Sequence, residues 1–342
     1  MLERVKQTIE RHGEASGAAL QSTIRIIMDR TILTLVRYWV LRRYYHICRW
    51  TTLHAGKQCD PVTPVSDVDK FLWRKIFDHN PLFTTACDKL AAKDYALSVC
   101  PELKTAKVLW VGSDPDQIPA QVLAGNVVIK ANCSSGSNVM VCDGKVDRAS
   151  LKEITRLWFE RTYGQEKGEW GYKNGRRCLF VEEMLLEDGQ PVRQEYKFHV
   201  SGGRIAYIFV ARRMDDGSKR FCHLVRDGRL APFQKDDAST QGEIKIPATF
   251  DRLAAVAERL AASFDYMRCD FYERDGEIFF SELTPYPQSG YSTGMPYLDN
   301  SRNAGWDLRK SWFLTSPQRG WRSVYSAALR RWLDRRSARP AS

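Results

Sequence analysis

The sequence predicts an α+β protein in which antiparallel strands predominate, and three observations lead to this fold class. Apolar residues recur at helical spacing toward both ends of the 342-residue chain. Between them, short β-rich segments are bounded by turn residues, and many follow one another without the crossover helix of a βαβ unit. The apolar fraction of 43% is that of a globular protein. The chain is long enough for two domains or one elaborated domain.

The elements follow from local patterns along the chain. Helical periodicity predicts helices over 24–47, 86–95, 145–163, 251–263 and 325–336. The helix over 86–95 is expected to begin at a cap formed by Thr84 or Thr85. Alternating β-rich runs predict strands over 107–112, 126–131, 139–142, 178–184, 195–199, 205–211, 221–225, 266–273 and 277–283. The sequence Arg274-Asp275-Gly276 joins the last two strands and is typical of a hairpin turn.

The positive charge of the chain lies at its two ends. The formal net charge is +11; residues 1–50 carry +5 and residues 301–342 carry +8, so the 250 residues between them carry −2. A phosphate backbone is bound by a basic surface, and the body of this chain has no positive excess. The charge distribution therefore argues against a nucleic-acid-binding protein.

The basic ends leave two alternatives open. Residues 24–47 and 325–336 combine apolar side chains, tryptophan among them, with arginines. Such helices either lie on an anionic membrane surface or pack on the body with a solvated arginine face. The chain lacks both an uncharged apolar run long enough to span a membrane and a secretory signal pattern, so we expect a cytoplasmic protein, with peripheral contact at the inner face of the membrane as one alternative. The nine cysteines contain no CxxC pair and are expected to be reduced thiols, mostly buried.

The last predicted hairpin carries two carboxylates. Arg268 and Asp270 share one face of its first strand, and Glu282 and Thr284 share one face of the second. The turn at 274–276 brings Asp270 roughly opposite the stretch that holds Glu282. Two carboxylates in close approach favour a cation between them, and Mg²⁺ prefers oxygen ligands of this kind together with substrate phosphates. The alternative is a solvated pair on an ordinary strand face.

Two further segments favour a nucleotide site. Lys130 ends a strand and is followed by the small residues 134–138, whose N–H groups and hydroxyls can hold phosphate oxygens. This loop lacks the GxxxxGK[ST] pattern and does not open a helix, which excludes the common P-loop. The β segment 181–185 can pair its backbone with an adenine edge, with Glu182 accepting from the exocyclic amine.

In this order the motifs resemble those of an ATP-grasp enzyme, and more narrowly those of the TupA-like ATP-grasp family of bacterial surface-polysaccharide and teichuronopeptide biosynthesis. The resemblance covers about residues 65–300. It rests on Asp78-His-Asn-Pro-Leu, Asp88-Lys89, Lys130-Ala-Asn-Cys-Ser-Ser-Gly-Ser-Asn138, Trp170-Gly-Tyr-Lys173, Glu195-Tyr-Lys-Phe198 and Phe280-Ser-Glu-Leu-Thr-Pro-Tyr-Pro287. The family implies an ATP-grasp fold, in which ATP is held between two α+β subdomains with antiparallel sheets.

The resemblance also implies an organisation of the chain and a nucleotide site. The implied parts are a basic helical extension with its linker (1–60), an N-terminal subdomain (61–122), a central lid with the phosphate loop (123–184), a C-terminal subdomain with the metal site (185–300) and a basic helical tail (301–342). Lys89 and Lys130 would hold the ATP phosphates. The covering loop would consist of Ser135, Gly136 and Ser137, and the adenine hinge of Glu182, Glu183, Met184 and Leu185.

The remaining implied roles lie around the hairpin. Asp270 and Glu282 would bind one or two Mg²⁺ ions, and Thr284 stands where the superfamily usually has an asparagine ligand. Lys197 would be a further phosphate contact. Arg268 would stabilise the charge on the transferred phosphoryl group.

The implied reaction is ligation through an acylphosphate. A small-molecule or glycan acceptor with a carboxylate would be phosphorylated by ATP, and an amine or amino-acid co-substrate would then displace the phosphate. A kinase acting on a sugar hydroxyl and a non-catalytic nucleotide-binding scaffold are the alternatives. The resemblance implies substrate-facing residues in the N-terminal region and in the loops after Pro285, where Gln288-Ser-Gly-Tyr291 stands out.

Overall fold

The structure is a computed structural model that describes residues 2–160, 162–214, 216–232, 244–291 and 305–338. Its helices are α1 (Leu2–Arg43), α2 (Tyr45–Ala55), α3 (Asp67–Ile76), α4 (Leu82–Cys87), α5 (Lys89–Val99), α6 (Ala120–Leu123), α7 (Arg148–Glu160), α8 (Phe250–Leu260), α9 (Trp312–Thr315) and α10 (Trp321–Ser337). Its strands are β1 (Lys104–Thr105), β2 (Val108–Gly112), β3 (Val127–Ala131), β4 (Asn138–Val141), β5 (Leu179–Glu183), β6 (Leu186–Glu187), β7 (Gln190–Pro191), β8 (Gln194–Ser201), β9 (Arg204–Arg213), β10 (Lys219–Leu224), β11 (Tyr266–Arg274) and β12 (Glu277–Thr284).

Two sheets form the frame of the molecule, which confirms the α+β fold class. The larger sheet has six strands in the order β1-β12-β11-β8-β9-β10, and the smaller has four in the order β2-β5-β3-β4. The one exception to antiparallel pairing in these sheets is β1, which runs parallel to β12. The segment 61–122, expected to be a subdomain of its own, sends β1 into the larger sheet and β2 into the smaller. The domain boundaries stay a prediction.

Each face of the larger sheet carries its own apolar core. On one face, α5 and α8 cover residues such as Phe198 and Phe271, and both rings are fully buried. On the other face, α3 and the terminal helices surround Tyr266 and Trp73. Burial of apolar surface on both sides holds the central strands β8 and β11 rigid, and these strands carry the charged side chains described below.

The predicted cap of the helix over 86–95 was wrong. Thr84 and Thr85 lie inside α4, and the chain breaks at Asp88, whose carboxylate accepts from the N–H of Ala91 and so caps α5. Aspartate satisfies an orphan N–H at a helix start as well as threonine does, so the two patterns compete in the sequence. The expectation for the cysteines is confirmed: all nine are free, and seven of them are buried.

The terminal helices pack on the body, which was one of the two alternatives for them. Asp29 of α1 forms salt bridges of 2.6 Å to Arg331 and 2.9 Å to Arg335 of α10. The apolar side chains of Leu33 and Val40 on the same face of α1 are buried. None of the described helices is both long and apolar enough to cross a membrane.

Candidate functional site

The hairpin of β11 and β12 brings the predicted carboxylates together. Asp270 pairs with Glu282, and Arg268 pairs with Thr284. A β-bulge between Asp270 and Phe271 sets this register, because it shifts the pairing by one residue and leaves Ser281 as the extra residue of β12. Without the shift Glu282 would face away from Asp270. The bulge therefore places both carboxylates on one face.

Cations already surround Asp270, which is 0% exposed. The Arg268 guanidinium donates to both of its oxygens, at 2.7 Å each, and the Lys197 ammonium donates to Oδ2 at 2.7 Å. Burial alone would raise the pKa of Asp270, but Arg268 and Lys197 outweigh it and hold the pKa below its usual value. The sequence predicted that a metal ion relieves the repulsion between Asp270 and Glu282. In the structure, Arg268 and Lys197 relieve part of it.

Glu282 and Thr284 complete the cluster at its accessible side. Arg268 also donates to Glu282 Oε1 at 2.7 Å, and the Thr284 hydroxyl donates to the same oxygen at 2.8 Å. The Glu282 side chain is 31% exposed, in contrast to Asp270. Glu282 is therefore the carboxylate that an incoming ligand meets first.

Sequence reasoning missed a third carboxylate, Glu195 of β8. Its Oε2 lies 2.5 Å from the Lys197 ammonium. Burial raises the pKa of Glu195; Lys197 opposes this shift, while Asp270 and Glu282 add to it. The spacing of two between Glu195 and Lys197 on a strand would have placed both on the face of Asp270.

The donor set of the hairpin fits Mg²⁺. No group of three or more His, Cys, Asp or Glu side chains among the described residues is arranged to hold a metal. Mg²⁺ is usually bound by one or two carboxylates, with waters and phosphates as its other ligands, so Asp270, Glu282 and the Thr284 hydroxyl suffice. Asp270 would bind through the lone pairs that Arg268 and Lys197 leave, and Glu282 through its exposed side.

A cavity of about 240 Å³ adjoins one end of the hairpin. Tyr272 and Phe280 line it from β11 and β12, and the predicted hinge lines it from the other side. The wall includes Lys130 together with Glu182, Glu183, Met184 and Leu185. These predicted nucleotide residues are therefore brought together.

Glu182 has a different environment from the one predicted. Its carboxylate lies 2.6 Å from the Lys93 ammonium and 2.5 Å from the Lys130 ammonium. Burial would raise the pKa of Glu182, but the two lysines lower it below its usual value. Both carboxylate oxygens of Glu182 contact a lysine. Glu182 therefore positions the two lysines, and neither oxygen is left without a partner for a base. Sequence reasoning missed Lys93, which follows Lys89 by four residues and lies on the same face of α5.

The hinge backbone is partly engaged as well. The Met184 N–H donates to the Asn126 carbonyl at 3.1 Å, and the Leu185 carbonyl accepts from the Val192 N–H at 2.9 Å. The Met184 carbonyl and the Leu185 N–H find no partner among the described residues. One acceptor and one donor are thus available to a ligand, and the adenine hinge stays a prediction.

Lys89 lies beneath the predicted phosphate loop. Its ammonium donates to the carbonyls of Ala131 at 3.3 Å, Asn132 at 3.4 Å and Ser134. Burial lowers the pKa of Lys89, and Glu282 opposes the shift, so Lys89 lies within electrostatic reach of the hairpin. The ammonium therefore fixes the base of the loop.

The predicted phosphate loop is itself an exposed turn. Ser135 and Gly136 are exposed, and the Ser134 and Ser137 hydroxyls are 2.6 Å apart. Gly136 has a φ of +75°, which favours glycine. The free N–H groups of such a turn are suited to phosphate oxygens.

A second cavity, of about 380 Å³, adjoins the opposite end of the hairpin. Arg268 and Thr284 line it, as does Ser135 of the phosphate loop. The predicted substrate loop contributes Gln288 and Tyr291. Along the hairpin, the Asp270–Glu282 pair thus lies between two cavities.

Comparison with known proteins identifies a family over the central part of the chain. The TupA-like ATPgrasp family model matches residues 69–300. No curated protein sequence matches the chain. Among solved structures, the D-alanine–D-alanine ligase of Bacillus anthracis is similar at 15% identity, with a TM-score of 0.37, over 73% of this chain and 67% of that one.

Two other solved structures illustrate the range of similar proteins. The ATP-grasp ligase PsnB, complexed with a phosphomimetic variant of its minimal precursor, Mg and ADP, has 12% identity and a TM-score of 0.37, over 74% of this chain and 61% of that one. N5-carboxyaminoimidazole ribonucleotide synthetase of Thermus thermophilus has 17% identity and a TM-score of 0.35, over 58% of this chain and 45% of that one. The present chain spans less than two thirds of the length of these two proteins.

Proposed function

The chain belongs to the TupA-like ATPgrasp family, and from this premise we propose that it is an ATP-dependent ligase that joins a carboxylate to an amine. One observation carries the proposal: the Asp270–Glu282 pair lies between a cavity lined by lysines and the hinge and a cavity lined by Arg268 and Thr284. A kinase or a ligase needs such a division, because phosphoryl transfer takes place between a nucleotide and a second substrate.

We call the cavity of about 240 Å³ the nucleotide cavity. The chain provides groups there for both ends of ATP. Met184 and Leu185 line this cavity, and the Met184 carbonyl and Leu185 N–H would pair with the adenine edge. Lys93 and Lys130 together carry one positive charge in excess of Glu182. Lys89 and the turn at 135–137 hold the phosphates beyond them. When bound, Mg²⁺ on Asp270, Glu282 and Thr284 would neutralise phosphate charge.

The proposed reaction consists of two successive displacements. A carboxylate oxygen of the acceptor attacks the γ-phosphorus, and ADP leaves with the electron pair of the broken P–O bond. The amine nitrogen then attacks the acylphosphate carbon, and phosphate leaves as the amide forms. Arg268 and Lys197 stabilise the negative charge on the transferred phosphoryl group, and their fixed hydrogen bonds to Asp270 hold them in place for this task.

We further propose that the acceptor is a sugar acid or glycan precursor of bacterial surface polysaccharide synthesis. The resemblance of residues 69–300 to the TupA-like family supports this choice of substrate class. The test uses glucuronate, galacturonate and glutamate with Mg-ATP and hydroxylamine, which converts an acylphosphate to a hydroxamate. We expect ADP, phosphate and hydroxamate in equal amounts with a uronate. ADP without hydroxamate and without free phosphate would identify a kinase, and no ADP with any of the three would exclude these acceptors.

We also propose that the protein is cytoplasmic and that α1 contacts the inner face of the membrane. The face of α1 opposite its buried residues exposes an apolar stripe: Leu20, Ile24, Ile27, Met28, Leu35 and Tyr38. Arg25 and Arg30 are exposed on either side of it. An apolar stripe with flanking arginines fits an anionic lipid surface, where each arginine contributes about 1 kcal/mol.

Vesicle cosedimentation tests this surface. We expect binding to phosphatidylglycerol vesicles that salt weakens, little binding to phosphatidylcholine, and loss of binding in Ile27→Glu/Leu35→Glu. Leu157→Glu, at an exposed apolar residue of α7, is the matched control and should bind as the unmodified protein does. Equal binding to both lipids, or binding unaffected by the double substitution, would contradict the assignment.

A further inference from the structure

The cavity next to Arg268 and Thr284 contains a buried acid that the proposed reaction has not used. Glu169 lines this cavity and is 2% exposed. Its Oε1 has no hydrogen-bond partner among the described residues. A buried carboxylate oxygen without a donor is costly, so its retention requires an explanation.

The backbone around Glu169 is built to hold the side chain there. The Glu169 N–H donates to the Gly164 carbonyl at 2.9 Å and closes a turn. Gly164 has a φ of +74°, and a Cβ on it would lie 2.8 Å from the Cβ of Glu169. Only glycine therefore fits the turn that directs Glu169 into the cavity.

Backbone strain in another segment that lines the cavity supports a functional role for the cavity. Gln288 and Ser289 both have positive φ, of 48° and 54°, which is uncommon for residues other than glycine. Such strain is concentrated at functional sites, and both residues line the same cavity.

The cations near Glu169 are engaged with other groups. The Lys75 ammonium donates to the Ser289 carbonyl at 2.7 Å and lies 4.3 Å from the centre of the Tyr291 ring. The Lys167 ammonium lies 5.7 Å from the centre of the Tyr163 ring. Neither lysine forms a salt bridge with Glu169 among the described residues. Both are near enough to lower its pKa, as is Ser289, but burial outweighs all three and raises the pKa of Glu169.

The other walls are aromatic. Tyr163 and Tyr172 meet edge to face, with ring centres 4.8 Å apart, and Tyr286 is buried with its hydroxyl unpartnered among the described residues. Ring faces beside a buried carboxylate are the chemistry that recognises an organic ammonium ion. A volume of about 380 Å³ accommodates a small molecule.

We propose that this cavity binds the amine substrate as an ammonium ion, with Glu169 as its charge partner and as the base that takes its proton. The inference rests on the proposed ligase function and names the class and site of its second substrate. The ammonium gives one proton to Glu169 Oε1, and the nitrogen lone pair then attacks the acylphosphate carbon. The carbon–oxygen bond to phosphate breaks, and the departing phosphate takes up the second proton that nitrogen loses. A raised pKa makes Glu169 a better base for this step.

The N-terminal extension sets the size of the amine. Trp50 and His54 of α2 line the same cavity, and their rings are stacked at 4.4 Å. His54 also meets Tyr291, with ring centres 5.1 Å apart. α2 lies outside residues 69–300, to which the family model extends. The wall that limits the amine is thus supplied by a segment beyond that match.

The test measures amine binding to the full chain in the presence of Mg-ADP by saturation-transfer NMR. The probes are glycine, ethanolamine and glucosamine, each paired with its N-acetyl derivative, which lacks the ammonium. We expect at least one free amine to bind and its N-acetyl partner not to bind. Glu169→Gln, which keeps the shape and removes the charge, should weaken that binding at least about tenfold. Glu166→Gln, at an exposed glutamate in the same loop, is the matched control and should bind normally.

Three results would overturn the inference: equal binding of an amine and its N-acetyl derivative, unchanged binding in Glu169→Gln, or no binding by any of the three amines. The Mg-ADP affinity of the unmodified protein shows whether such a result concerns the amine site alone or the proposed function as well. If Mg-ADP does not bind to the unmodified protein, the ligase proposal itself is wrong. If Glu169→Gln does not fold, Trp50→Ala decides the matter, because Trp50 is 42% exposed and its loss should change amine affinity with Mg-ADP affinity unchanged.

Discussion

Two carboxylate clusters of this protein use the same types of side chain to opposite effect. In the nucleotide cavity, Glu182 lies between Lys93 and Lys130, and the cluster carries a net charge of +1. In the hairpin, Asp270 also lies between two cations, but Glu195 and Glu282 join it, and the net charge is −1. The first cluster suits the phosphates of a nucleotide and the second suits a metal cation. The two clusters thus differ by two carboxylates, and this difference in charge is what the proposed binding of phosphates by the first and of Mg²⁺ by the second requires.

The largest effect is expected where the negative cluster is removed. Asp270→Asn/Glu282→Gln leaves Arg268 and Lys197 with Glu195 as their one remaining carboxylate, and the cluster becomes positive. We expect ADP formation to fall by about a thousandfold or more, because phosphate charge would no longer be neutralised by the metal. The rate is measured at saturating Mg-ATP with the acceptor that supports hydroxamate formation, after circular dichroism shows that the variant is folded. Full activity in the double variant would contradict the proposal that the protein is an enzyme with this site.

A smaller effect is expected in the positive cluster. Lys93→Met removes one of the two cations around Glu182, so the net charge falls to zero. Mg-ADP should bind about tenfold to a hundredfold more weakly, which is the range of one charge-assisted hydrogen bond. Isothermal titration calorimetry measures the change in Mg-ADP affinity. Lys152→Met, at an exposed lysine that pairs with Asp116, is the control, and a comparable loss there would show that the effect is not specific to the cavity.

A third variant sharpens the comparison by changing charge and little else. Glu195→Gln reduces the negative cluster to zero net charge while Asp270 and Glu282 remain. We expect the apparent Mg²⁺ affinity during turnover of ATP to fall by about threefold to tenfold. The effect is modest because Glu195 would act on the metal through its charge from a distance and not as a ligand. A magnesium titration of ADP formation gives this value. A loss as large as that of the double variant would make Glu195 a ligand and not a neighbour.

Asp78 provides the most selective test, because it is a buried aspartate that forms no salt bridge with a described residue. Burial raises its pKa to about 8; Asp265 adds to the shift and Arg74 opposes it. The folded protein therefore keeps a proton that the unfolded chain loses near pH 4. Stability should fall as pH rises toward 8, by at most about 1.4 kcal/mol per pH unit. For Asp270, whose pKa is lowered, stability is instead lost as pH falls below the ordinary carboxylate range.

Urea denaturation at pH 5.5 and pH 8 measures this contribution. Asp78→Asn imitates the protonated form and should reduce the loss of stability between the two pH values, with Mg-ADP affinity unaffected. The same loss in both proteins would show that Asp78 is ionised throughout.

The sequence predicted those parts of the fold that local patterns determine. The turn at 274–276 fixed the pairing near the end of the hairpin, and strand alternation placed Arg268 on the face of Asp270. The bulge that brings Glu282 opposite Asp270 has no sequence signal of its own, since Ser281 reads as an ordinary strand residue. The approximate pairing was therefore predictable and the register was not.

The site was predictable where residues belong to a motif and obscure where they meet only in space. Lys130, Glu182 and the 134–138 loop were found by their order along the chain. Glu169 and Trp50 were not found, because they reach the second cavity from a loop and a helix far apart in sequence. Tertiary packing alone brings them to Arg268.

The most direct test of the ligase account follows oxygen from the acceptor to the phosphate. Glucuronate labelled with ¹⁸O in its carboxylate is incubated with Mg-ATP and the amine that binds, and the released phosphate is analysed by mass spectrometry. If the carboxylate attacks the γ-phosphorus, each phosphate released with an amide carries one ¹⁸O atom. Unlabelled phosphate accompanying amide formation would show that no acylphosphate forms and would contradict the account.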